Sequence, residues 1–130
     1  MHSDSAPPPL QFIPDVPSVD LERLDMLRDL CSETDPALLG EMLEAWEEEA
    51  ARRLADARTA LATDDACRLK TAAHALKGSC SNIGVMRLSE LSRRLERELN
   101  STPFAAELLA AMDSEFRHVQ ELLAAAHAGP

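Results

Sequence analysis

With 130 residues, 45% of them hydrophobic and only 3% aromatic, the chain has enough apolar material for one core, built mainly from alanine and leucine. Its formal charge of -10 disfavours nucleic acid and anionic membrane surfaces as partners, because phosphate repulsion precedes any specific contact. No run approaches the roughly 18–20 apolar residues that span a bilayer, and the N-terminus MHSDSAPPPLQF lacks the basic-then-apolar order of a signal peptide. A cytoplasmic protein without membrane insertion is the expectation. Cys31, Cys67 and Cys80 are odd in number and form no C-x-x-C pair, which fits reduced thiols serving as small apolar side chains.

In chain order, residues 1–17 carry Pro7, Pro8, Pro9, Pro14 and Pro17 among small and polar residues, which suits a tail or linker, with Phe12, Ile13 and Val16 able to pack on a domain surface. Residues 18–127 are read as the domain and 128–130 as a short C-terminal tail. A short helix is predicted over 19–31, with Leu21, Leu24, Leu27 and Leu30 as its apolar set and Met26 alongside. Asp35 followed by Pro36 reads as an N-cap and a first helical proline, opening a long helix over 36–62. There Leu39, Leu43, Trp46, Ala50, Leu54, Ala57 and Leu61 form one stripe at steps of three and four.

Thr63-Asp64-Asp65 caps a third helix that runs to Ile83, where Gly84 can turn left-handed. A fourth helix over 85–100 buries Leu88, Leu91, Leu95 and Leu99. Ser101-Thr102-Pro103 starts a fifth over 103–126, with Phe104, Leu108, Met112, Phe116, Val119, Leu123 and Ala126 on its stripe. The resulting fold class is all-α: an antiparallel up-down four-helix bundle with an additional short N-terminal helix covering one end. One bundle of this length can bury its own core as a monomer.

The third helix holds the one feature that a plain bundle does not require. Leu69, Ala72, Leu76, Cys80 and Ile83 define its buried stripe, and His74 stands about 200° from both Ala72 and Leu76, facing outward. Cys67, Lys70, Thr71, Lys77, Gly78 and Ser81 share that face. Lys77 is three residues on, close enough to meet His74, and Gly78 is four residues on, directly beside it. A glycine inside a helix costs about 1 kcal/mol relative to alanine, a loss that close approach by another molecule would offset. An imidazole supplies a nucleophilic nitrogen at neutral pH, and an ammonium compensates charge on a transferring phosphoryl group. Alone, a surface histidine is ordinarily just that; the coincidence of three residues at this spacing carries the reading. Between Ala66 and Arg94, Arg68, Lys70, Lys77, Arg87, Arg93 and Arg94 stand against Glu90 alone, a local net of +5 that suits an acidic partner or simply balances the acidic helices.

The run Ala73-His74-Ala75-Leu76-Lys77-Gly78-Ser79-Cys80-Ser81-Asn82-Ile83-Gly84 closely resembles the signature of histidine-containing phosphotransfer (HPt) domains, and Leu88, Leu91, Leu95 and Glu96 match that family's next helix. The resemblance implies that His74 accepts a phosphoryl group from a receiver-domain aspartate and passes it to another response regulator, with Lys77 assisting electrostatically and Gly78 keeping the approach open. Lys70, Thr71 and Ser81, which share the face of His74, are the expected partner contacts. A response regulator and a hybrid sensor histidine kinase, in cis or in trans, are the implied partners. Mg²⁺ is expected on the receiver and no cofactor on this chain, which would act as an intermediate without kinase activity of its own. Cys80, where a small Ser or Ala is common, and Val85, where Ala is frequent, depart mildly from the pattern at inward or terminal positions.

Two rivals compete. A di-iron carboxylate bundle needs two Glu-x-x-His pairs, and only Glu115-Phe116-Arg117-His118 has the spacing. His74 has Thr71, not an acid, three positions before it. The other rival is a module of the same fold that docks a partner without transferring phosphate.

Overall fold

Two aspartate caps, at Asp20 and Asp65, and one left-handed glycine, Gly84, set three of the helix ends of this chain. The computed structural model describes residues 16–97 and 102–128, which form α1 (Leu21–Thr34), α2 (Leu38–Ala62), α3 (Ala66–Ile83), α4 (Met86–Arg97) and α5 (Thr102–Ala128). Among the described residues there is no strand, and extended pairing is confined to an antiparallel bridge between Val19 and Val85. Phe12, Ile13, Leu99, Asn100 and Ser101, assigned from the sequence, lie outside the described residues.

Asp65 caps α3 as expected, accepting the Arg68 backbone N–H at 3.0 Å. Gly84 ends the same helix with φ 86°. A Cβ there would also come within 3.0 Å of Arg23 Cγ, so both conformation and space call for glycine. Asp35 behaves otherwise than predicted. Its N–H closes α1 on the Cys31 carbonyl at 2.7 Å, and its side chain accepts from the Ala37 N–H at 3.1 Å. That turn holds Pro36 and Ala37 ahead of the helix, so α2 begins at Leu38 rather than at residue 36.

The predicted stripes of the long helices form one core. Leu39, Leu43, Trp46, Ala50, Leu54 and Ala57 of α2 are buried, with Ala60 taking the last step in place of Leu61, which is only partly covered. From α3 come Leu69, Ala72, Ala73, Leu76, Cys80 and Ile83; from α4, Leu88, Leu91 and Leu95. The α5 contribution is Ala105, Leu108, Leu109, Met112, Val119 and Leu123, flanked by Phe104 and Phe116. Both α2 and α4 pack against α3 and α5, which closes a ring of four helices. The turns at 63–65 and 84–85 make α2, α3 and α4 antiparallel in succession. Trp46 meets Phe116 edge-on and Arg58 meets Asp113, so α5 descends as α2 ascends.

The first helix departs from its predicted face. Asp20 caps it by accepting the Arg23 N–H at 3.2 Å, so it starts at Leu21, and Val19 is instead buried in the bridge to Val85. Steps of three residues lag the helix by about 60° each, which puts Leu21 and Leu30 on opposite sides. They are 65% and 62% exposed, while Leu24 and Cys31 are buried. One end of α1 is fastened to the finish of α3 through Arg23 and the Asn82 carbonyl (2.9 Å), and its other end turns directly into α2. The start of α2 and the finish of α3 lie at the same end of an antiparallel pair, so α1 covers that end of the bundle.

Candidate functional site

Helical phase brings His74 to the outside of α3, where its side chain is 67% exposed. One turn before it lie Lys70 and Thr71; one turn after it, Lys77 and Gly78; two turns after it, Ser81. Of these only Lys77 is partly covered, and the rest are exposed. A Cβ built on Gly78 meets nothing within 4 Å, so the glycine leaves open space beside the imidazole rather than room for another helix.

The residue that organises the site is Glu96, from the last turn of α4. Its Oε2 lies 2.9 Å from His74 Nδ1 and its Oε1 accepts from Lys77 Nζ at 3.1 Å. A carboxylate can only accept, so in this hydrogen bond the proton of the ring sits on Nδ1 and the lone pair of the neutral imidazole is on Nε2. Partial burial opposes the charge on Glu96, but hydrogen bonds and attraction from Lys77 and His74 outweigh it and hold the carboxyl below its ordinary range.

In the sequence Glu96 stands out only through the resemblance, which assigns it no role. The signal was there in part: an acid on a neighbouring helix, next to the buried Leu95, opposite a basic face. What was missing was the register of α4 on α3. Ser89, one residue after the buried Leu88, donates from Oγ to the Lys77 carbonyl at 3.1 Å and lies 3.4 Å from Ser81 Oγ. Seven residues later, two helical turns on, Glu96 reaches His74.

The remaining predicted residues are placed on the same face without a shared hydrogen bond to His74. Thr71 donates back to the Cys67 carbonyl at 3.0 Å, and Ser81 is engaged with Ser89. The positive charge of the region is partly neutralised, since Arg68 pairs with Asp56 at 3.7 Å and Arg93 with Glu90. Lys70 makes no ion pair among the described residues. Those residues contain no group of three or more His, Cys, Asp and Glu side chains arranged to hold a metal, and Glu115 is buried while His118 faces solvent.

An exposed imidazole with one nitrogen tied to a carboxylate and the other free, beside an ammonium and a cleared surface, is equipped for nucleophilic attack on phosphorus. Comparison with known proteins points the same way. Among solved structures, histidine-containing phosphotransfer protein B (HptB) from Pseudomonas aeruginosa PAO1 superposes with a TM-score of 0.76 at 25% identity, over 88% of this chain and 97% of that one. No curated protein sequence matches the chain. The Hpt domain family matches residues 41–129, which include all of α3 and α4. The chain therefore belongs to the Hpt domain family.

Proposed function

We propose that this protein relays phosphoryl groups through His74. Nε2 attacks the phosphorus of a receiver-domain aspartyl phosphate; the N–P bond forms as the P–O bond to the aspartate breaks, and the carboxylate leaves. The reverse step on a second response regulator restores the imidazole. The observation that carries this reading is the hydrogen bond from His74 Nδ1 to Glu96, which holds the ring proton away from Nε2 at an exposed position. It leaves the chemistry at one nitrogen, as a phosphoryl acceptor requires.

Within this reading Lys77 leaves Glu96 to balance charge on the phosphoryl group, and the space at Gly78 admits the rim of the receiver's acidic pocket. Lys70, Thr71 and Ser81 line the approach. The Mg²⁺ of the reaction belongs to the receiver, as does most of the catalytic machinery, and this chain is an intermediate rather than a kinase. A hybrid sensor histidine kinase, in cis or in trans, is the proposed phosphoryl source, with the exchange taking place in the cytoplasm.

Incubation with a ³²P-labelled receiver domain tests it. Transfer should give an acid-labile, alkali-stable label on wild type that is absent from a folded His74→Gln variant. Undiminished label in that variant sinks the assignment. A receiver that binds wild type tightly and never labels it would instead favour a docking module without transfer.

A further inference from the structure

The chain ahead of the bundle is stitched to the corner on which the His74 site depends. Asp20 N–H donates to the Gly84 carbonyl at 2.7 Å and Met86 N–H to the Ser18 carbonyl at 2.9 Å, with Val19 paired to Val85 between them. Both valines are buried. Arg87, in the first turn of α4, donates from Nε to the Val16 carbonyl at 3.1 Å and from Nη1 to Ser18 Oγ at 3.5 Å. The same Nη1 stands 3.9 Å from Oε1 of Glu115, a buried carboxylate of α5 whose Oε2 has no hydrogen-bond partner among the described residues. One guanidinium thus joins the leading segment, α4 and α5.

Farther along α4, Ser89 touches the Lys77 carbonyl and Glu96 holds His74 and Lys77. A helix of 12 residues is stiff over that distance, so the seat of its first turn fixes the reach of its last. Residues 16–34 precede the part of the chain that matches the family, residues 41–129.

We propose that residues 16–20 and Arg87 form a clip that seats α4 against α3, and that loosening this clip regulates the site by withdrawing Glu96 from His74 and Lys77. The consequence for phosphotransfer rests on His74 being the acceptor; the mechanical coupling does not.

The test uses the full chain carrying Val19→Asp, and separately Arg87→Met with Glu115→Leu, which removes the clasp without stranding a buried charge. Three readouts are taken: exchange of the Met86 amide, the ¹⁵N signals of the His74 ring, and labelling by phosphoramidate, which donates its phosphoryl group to imidazole and releases ammonia. Both variants should keep their helicity, lose Met86 protection, shift the His74 ring signals toward those of Glu96→Gln, and label at an altered rate. Unchanged ring signals beside a freed Met86 amide overturn the proposal, as does a Met86 amide that stays protected. If both variants lose their helicity, the segment is a folding requirement and not a control. A wild type that takes label from neither phosphoramidate nor any receiver would sink the phosphotransfer reading, while the ring signals would still judge the clip.

Discussion

Glu96 Oε2 lies 2.9 Å from His74 Nδ1, across 22 residues of sequence and between two different helices. Because the other oxygen of the same carboxylate holds Lys77 at 3.1 Å, imidazole and ammonium are positioned by one group. Glu96→Gln keeps the shape and removes the charge. A charged hydrogen bond contributes about 1.5–3 kcal/mol, so phosphoryl acceptance should slow by roughly tenfold or more, with each tenfold equal to ~1.4 kcal/mol. Stopped-flow transfer from a phosphorylated receiver reads the rate. An unchanged rate would mean that the carboxylate does not prepare the ring.

The same pair predicts an acid dependence. The folded-state pKa of Glu96 is lowered from 4.5, so its stabilising effect is fully present above that value and is lost as pH falls through the depressed folded pKa. Glu49 acts in the same sense, since hydrogen bonds from Arg53 and Arg52 lower its pKa despite partial desolvation. Wild type should therefore lose Tm relative to Glu96→Gln as the solution is taken below pH 4.5, and the two curves should converge at the acid end. Curves that diverge on acidification would contradict the sign.

Gly78 separates helix stability from access. With nothing within 4 Å of an added methyl group, Gly78→Ala should raise stability by about 0.5–1 kcal/mol. Gly78→Gln should also fold, yet a side chain of that size beside His74 should sharply reduce transfer from a receiver while sparing labelling by phosphoramidate. Equal losses with both donors would remove the clearance role.

The two kinds of leucine in α1 should differ in a denaturation series. Leu24→Ala, at a buried position, is expected to cost about 2–5 kcal/mol. Leu30→Ala, at a position 62% exposed, should stay within about 0.5 kcal/mol of wild type. Urea unfolding followed by Trp46 fluorescence would rank them, and a large cost at Leu30 would place it in the core after all.

Thiol chemistry gives a cheap check on the packing. Cys67 is exposed, whereas Cys31 and Cys80 are buried, and loss of solvent pushes the Cys80 thiol up to about 12 although Trp46 opposes the shift. A thiolate-seeking reagent at neutral pH should modify one cysteine in the native protein and three in denaturant. Rapid native modification of Cys80 would show that the core around Trp46 opens.

The legible part of this protein is the part governed by local rules. Asp65, Gly84 and the stripes of α2, α3 and α5 follow from capping and the 3.6-residue period, and the same period put His74, Lys77 and Gly78 on one outward face. Where two local signals competed, the sequence misled. Asp35 has the look of an N-cap, but its N–H was already committed to closing α1, and the turn it forms delays α2. Leucines at three-residue intervals in α1 look like a stripe and are a spiral. Glu96 was hidden for a different reason, since its role depends on how far α4 slides and rotates against α3, and no pattern within α4 alone specifies that.

The seven-residue spacing of Ser89 and Glu96 along α4 therefore carries chemical information. One residue inserted between them, within the helix, would rotate everything beyond it by about 100° and advance it by about 1.5 Å. Glu96 would swing off the His74 side of the bundle although every side chain of the candidate site were still present. Helix length, ordinarily a matter of how much core is covered, is in this one place part of what specifies the candidate site.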